Sequence, residues 1–81
     1  MKARVYVSFK ETVLDPQGKT VCSALKSMGY DSIADVRQGK FFEITLNPDA
    51  DKAEVEKQIA EAAEEVLANP VIEDYRVEFI G

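Results

Sequence analysis

Residues 2–10 alternate, with Ala3, Val5, Val7 and Phe9 on one face and Arg4, Tyr6 and Ser8 on the other. A period of two in a run rich in β-branched and aromatic residues predicts a half-buried strand. The period then changes. Asp15-Pro16-Gln17-Gly18 carries the signals of a helix start: Asp15 as N-cap and Pro16 at the first helical position, where a missing N–H costs nothing. Val21, Ala24, Leu25 and Met28 follow at helical spacing as one apolar stripe, and Gly29 is placed to end the helix in a left-handed conformation. Gly18 weakens the first turn, and propensity offers no reason for it.

The next segment, 32–37, is weakly patterned around Ile33, Ala34 and Val36 and reads as a second strand. Gln38-Gly39-Lys40 reads as a hairpin turn, with Gly39 supplying a positive φ. A third strand over 41–46 puts Phe42, Ile44 and Leu46 on one face before Asn47-Pro48-Asp49 breaks it. Asp51 and Glu54 form an acidic version of a capping box, and Val55, Ile59, Ala62 and Val66 repeat at helical spacing. Asn69-Pro70 stops that helix, because Pro70 restrains the residue before it. A last strand over 71–80 places Tyr75, Val77 and Phe79 together. The order β-α-β-β-α-β predicts an α+β, ferredoxin-like split βαβ fold: a four-stranded antiparallel sheet with both helices on one face.

With 81 residues there is too little chain for two cores, so residues 1–81 are read as a single domain. No apolar run is long enough for a membrane span or a signal peptide, and the expectation is a cytoplasmic protein without membrane contact. Cys22 has no partner for a disulfide and lies beside the first helix's apolar stripe, where a small buried hydrophobe is the usual role. Histidine is absent, and there is no CxxC pair, P-loop or Gly-x-Gly-x-x-Gly turn, so no catalytic residue, cofactor site or metal site is predicted. Glu54, Glu56, Glu61, Glu64 and Glu65 share a polar helix flank and read as solvated surface. Phe41 and Phe42 faintly resemble the aromatics of an RNA-recognition strand, but a net charge of −5 opposes phosphate tracking, and no nucleic-acid partner is expected.

The predicted topology brings the loops 10–17, 37–40 and 69–73 to one edge of the sheet. Turn chemistry explains their Pro, Gly and cap residues. It does not explain Gln17, Arg37, Lys40, Glu73 and Tyr75, and polar residues gathered on loops suit a recognition surface. Lys10, Asp15, Gln17, Arg37, Lys40, Asn69, Glu73 and Tyr75 are therefore the candidate partner interface. The sheet face away from the helices presents Tyr6, Phe41, Ile72 and Ile80 among Arg4, Glu43, Arg76 and Glu78, a mixture that predicts self-association.

These stretches resemble the PurS family, the small subunit of phosphoribosylformylglycinamidine synthase. The likeness runs from Val5-Tyr6-Val7 and Lys10 through Val13-Leu14-Asp15-Pro16-Gln17-Gly18 to Ala24-Leu25 and Gly29. It continues with Asp35-Val36-Arg37, Gly39-Lys40 and Glu43-Ile44, and closes with the segment from Leu67 to Tyr75. The resemblance implies the fourth step of purine biosynthesis. There, a glutaminase subunit releases ammonia and an ATP-dependent synthetase subunit consumes it. The small subunit is the third component, expected to bridge the two without chemistry of its own. ATP, Mg and glutamine would serve the complex rather than this chain. Two other readings remain open from the residues alone. One is a ligand-binding regulatory module, with Lys10, Lys19, Arg37 and Lys40 near the positive end of the first helix as an anion site, opposed by Glu11 and Asp15. The other is an autonomous acylphosphatase-like enzyme, for which the chain shows no matching arginine-bearing loop.

Overall fold

A computed structural model describes residues 1–80. In chain order the elements are β1 (Lys2–Phe9), α1 (Pro16–Ser27), β2 (Gly39–Thr45), α2 (Lys52–Ala62) and β3 (Glu73–Ile80), with a π-helical turn, Ala63–Leu67, prolonging α2. The alternating segment at the N-terminus becomes the central strand. β1 pairs antiparallel with β2 on one side and with β3 on the other. This register sets Val5 between Phe42 and Val77, and Ala3 between Ile44 and Phe79. The inward face of this central strand is shielded from solvent completely or nearly so: Ala3 and Val5 are 0% exposed and Val7 is 2% exposed.

The cover on that face is α2, through Val55, Ile59 and Ala63, joined by Ala68 and flanked by Phe42, Ile44, Leu46, Val77 and Phe79. Up to Ile59 the helical repeat behaves as the spacing predicts. Beyond it the π turn takes in one extra residue, closed by the Ala68 amide donating to the Ala63 carbonyl at 2.8 Å. The apolar stripe consequently shifts by one position: Leu67 and Ala68 turn inward, and Val66 faces solvent. Asp51 does sit at the N-cap, but its carboxylate accepts no capping hydrogen bond, so the expected capping box does not form.

Two expectations about architecture are overturned. The sheet has three strands, and segment 32–37 forms none. Its pattern never alternates cleanly, since Ile33 and Ala34 are adjacent and so fall on opposite faces, and Asp35 separates them from Val36. Its end is instead held by the loop before α1. Without a preceding strand there is no hairpin at residues 38–40. Gly39 and Lys40 open β2, opposite Ser8 and Val7. Gly39 lacks the positive φ expected of it; a Cβ there would stand 2.7 Å from the Val7 carbonyl oxygen, so space rather than conformation favours glycine.

The second correction concerns α1, which does not share the sheet face with α2. No α1 residue belongs to the core cluster. Asp15 and Pro16 start the helix as predicted, and Gly29 ends it with φ 93°. The stripe of Val21, Ala24 and Met28 is exposed, with only Leu25 half-buried, and the buried side carries Gly18 and Cys22. The helix projects from the sheet, and the chain returns without regular structure to β2. The described residues measure 50 × 28 × 14 Å with a radius of gyration of 16.2 Å. A compact chain of this length would have about 12 Å. The α+β class stands, and the four-stranded split βαβ arrangement does not.

Candidate partner-binding site

One end of the sheet gathers the loop from β1 to α1, the approach to β2 and the turn before β3. Main-chain hydrogen bonds begin the convergence: the Lys10 amide donates to the Ile72 carbonyl at 2.9 Å, and the Val13 amide to the Lys10 carbonyl at 2.9 Å. The turn at Asn69-Pro70 is self-braced. The Asn69 side-chain oxygen accepts from the Val71 amide at 3.1 Å, and the Glu73 carboxylate accepts from the Asn69 amide at 2.7 Å. Lys10 reaches the same strand through a 2.8 Å ion pair with Asp74.

Asp15 lies at the centre, only 3% exposed. One carboxylate oxygen accepts from the Gly18 amide at 3.0 Å, as an N-cap should. The other accepts from the Gln38 amide at 2.7 Å. These bonds from Gln38 and Gly18 hold the Asp15 carboxyl below its ordinary pKa, with the Arg37 charge adding to the effect. Arg37 itself reaches across the loop, where one guanidinium nitrogen donates to the carbonyls of Lys10 (2.9 Å), Phe9 (3.3 Å) and Val13 (3.3 Å). Gln38 completes the contact by donating its side-chain amide to the Gln17 side-chain oxygen at 2.7 Å.

Two shallow cavities flank this knot. One of about 300 Å³ is lined by Glu11, Thr12, Lys19, Asp35 and Arg37, among others. The second, about 190 Å³, is lined by Ser8, Gln17, Gln38, Gly39, Lys40 and Glu73. All three predicted loops thus meet, and Gln17, Lys40 and Glu73 share one recess. Tyr75 stands on β3 opposite Val7, 37% exposed. Lys10, Gln17, Asn69 and Glu73 each keep an intrachain polar partner as well; Asp15 and Arg37 differ in joining the loop before α1 to the segment that enters β2 through several bonds each.

Three of the four cations considered for an anion site are engaged elsewhere, and Lys19 lines the larger cavity with Arg37, Glu11 and Asp35. Lys10 is paired with Asp74, Arg37 with three carbonyls, and the Lys40 ammonium stands 5.7 Å from the Phe42 ring centroid. No group of three or more Cys, Asp or Glu residues is placed to hold a metal ion among the described residues. Two residues of the knot escape sequence reasoning. Gln38 reaches Asp15 through its backbone amide, which no side-chain pattern reports, and adds its side chain to Gln17. Gly18 did carry a signal, an unexplained glycine in a first turn: a Cβ there would overlap the Val36 carbonyl oxygen and stand 2.6 Å from an Asp15 carboxylate oxygen.

On the outer sheet face, Arg76 stacks over Tyr6 at 4.3 Å, Tyr6 meets Phe41 at 5.8 Å between centroids, and Arg4 stands 5.9 Å from Phe41. Lys2 and Glu43 pair at 2.9 Å beside them. Phe41 is 57% exposed within this ladder.

The profile of the PurS family, described as phosphoribosylformylglycinamidine (FGAM) synthase, matches residues 2–81. The PurS subunit of phosphoribosylformylglycinamidine synthase from Bacillus subtilis is 49% identical over 77 residues, covering 95% of this chain and 89% of that protein. A crystal structure of B. subtilis PurS superposes with a TM-score of 0.80 at 51% identity, over 95% of this chain and 94% of its own. A chain in the structure of PurLQS from Thermotoga maritima superposes with a TM-score of 0.87 at 28% identity, over 98% and 95%. The chain belongs to the PurS family, whose members are subunits of phosphoribosylformylglycinamidine synthase in purine biosynthesis.

Proposed function

We propose that this chain is the non-catalytic bridge of its synthase, holding a glutaminase subunit and an ATP-dependent synthetase subunit so that ammonia passes between them. The observation that carries this reading is the convergence of three loops into one polar, partly recessed end with no nucleophile–base pair among the described residues. Such an end can bind a protein surface and has no means of activating glutamine or ATP. ATP, Mg and glutamine then belong to the partner subunits, and the isolated chain turns over neither substrate. The cytoplasm, where purine intermediates are made, is the expected location.

Homo-oligomerisation is part of the same proposal. The ladder of Arg76, Tyr6, Phe41 and Arg4 offers aromatic area and cations on a flat sheet face, a composition enriched at interfaces. Two-fold pairing of copies through that face is the simplest closed arrangement.

Co-purification with the two partner subunits, with glutamine and ATP present, tests the bridge. Lys40→Ala and Gln17→Ala should leave the fold within about 0.5 kcal/mol of wild type, as surface substitutions do. If either is an interface anchor, assembly weakens by roughly 2 kcal/mol, about 30-fold. Glutamine-dependent synthesis falls with it, while synthesis from free ammonia suffers less. Lys57→Ala, on the exposed side of α2, is the control. Equal defects in the control and the variants, or turnover by the chain alone, would overturn the reading.

A further inference from the structure

The α1 arm is directed by its root. Its stripe touches no core residue, and its only buried positions, Gly18 and Cys22, lie in its first two turns. At the root, three independent features tie it to the segment that enters β2. Asp15 caps α1 through Gly18 and simultaneously accepts from the Gln38 amide. Arg37 closes over the carbonyls of Phe9, Lys10 and Val13, the stretch that delivers the chain from β1 to α1. Gly18 allows the Val36 carbonyl to approach to a distance that any side chain would forbid. Since β1 and β2 are neighbours in the sheet, with Ser8 opposite Gly39, this clasp references the helix start to two paired strands.

We infer that Asp15 and Arg37 are positioning residues that together fix the direction of the α1 arm relative to the sheet. They are not themselves contacts to a partner subunit. A planar guanidinium serving three carbonyls and a carboxylate serving two amides on separate segments leave little rotational freedom at the root. The arm can then keep an exposed apolar stripe in a constant orientation, and an assembling partner meets a surface whose ordering cost is already met. The consequence for assembly rests on the bridging role proposed above; the direction of the arm does not.

The test is a spin-label distance measurement on the full chain. Nitroxides go on Lys26→Cys in α1 and Lys57→Cys in α2, in a Cys22→Ser background, diluted with unlabelled chain so that only intrachain distances count. Wild-type Asp15 and Arg37 should give one narrow distribution. Arg37→Ala should broaden it. Arg37→Lys, whose ammonium keeps the charge and the donors but reaches less far and lacks the planar fork, should restore it only in part. Gly18→Ala, whose Cβ would press on the Val36 carbonyl and the Asp15 carboxylate, should shift or broaden it with Arg37 left in place. Amide exchange of β1 should be the same in all four proteins. In the reconstituted complex, Arg37→Ala should reduce assembly at least tenfold and Arg37→Lys less. A broad wild-type distribution, or narrow and unmoved distributions in Arg37→Ala and Gly18→Ala, would overturn the inference. So would loss of β1 protection along with the arm, because the clasp would then belong to the core. Failure of the assembly arm alone, with the distance result intact, would count against the bridging role and leave the clasp standing.

Discussion

The two helices of this chain carry similar apolar repeats and are held by different physics. α2 and the π turn that prolongs it lie on the sheet through Val55, Ile59 and Ala63, so their position follows from burial of hydrocarbon. α1 has Val21, Ala24, Leu25 and Met28 at comparable spacing, yet it is fastened at one end by Asp15, Arg37 and the close approach at Gly18. An amphipathic stripe therefore states that a helix has an apolar side to cover. It does not state that its own chain supplies the cover. In a subunit of a larger enzyme, a stripe left open on a directed arm is a surface available for assembly.

The contrast is sharpened most strongly by Ile59→Ala. That side chain is 7% exposed in the core, and its truncation should cost about 2–5 kcal/mol in urea unfolding. An unfolding midpoint unchanged from wild type would mean that α2 is not the cover of the sheet. Gly18→Ala comes next. A Cβ forced against the Val36 carbonyl and the Asp15 carboxylate should cost about 1–3 kcal/mol, as overpacking does, and the loss should appear in α1 exchange before β1 exchange.

Acid should loosen the two regions in order. The carboxyl of Asp15 is held below its ordinary value, so it contributes stability above the unfolded pKa, about 3.9, and loses that contribution as pH falls through the folded value. Protection factors across α1, which correct for the slower intrinsic exchange in acid, should fall first as the pH drops below about 4, and Asp15→Asn should remove that step. A smaller acid dependence should survive in the variant, because Glu43, lowered by its hydrogen bond and ion pair with Lys2, titrates in the same direction on the sheet. An acid response that begins in β1 would contradict this order. The smallest effect on the isolated fold belongs to Val21→Ala and Met28→Ala, at 40% and 69% exposure. Each should change unfolding by no more than about 0.5 kcal/mol while weakening assembly. A large unfolding cost would show that the stripe is already covered.

The strands that became β1, β2 and β3 were legible because each alternates. Ala3-Val5-Val7, Phe42-Ile44 and Val77-Phe79 do face one core. The start of α1 was equally plain in Asp15-Pro16, and its end in Gly29. Segment 32–37 misleads because Ile33, Ala34 and Val36 supply apolar content without alternation, and no strand pairs with it. Val66 misled because a π turn changes the repeat without leaving a residue-type signature. The meeting of the three loops was recoverable from element order alone, even though the strand count was wrong. Chain reversals at the same end survive the loss of one edge strand. The clasp was not recoverable, since it runs through backbone amides and carbonyls that every sequence possesses. Arg37 reads as a free polar residue on a loop, and Asp15 as an N-cap alone; only the fold shows the carbonyls that Arg37 serves and the second partner of Asp15, the Gln38 amide.

The most direct test of the account is amide exchange across α1 and β1, measured on the chain alone over a range of concentrations and again with the glutaminase and synthetase subunits. Protection over residues 19–28 should rise as copies associate or as the partners are added, while protection in β1, already buried between β2 and β3 beneath α2, stays constant. Protection of α1 that is high at every concentration and indifferent to the partners would contradict it.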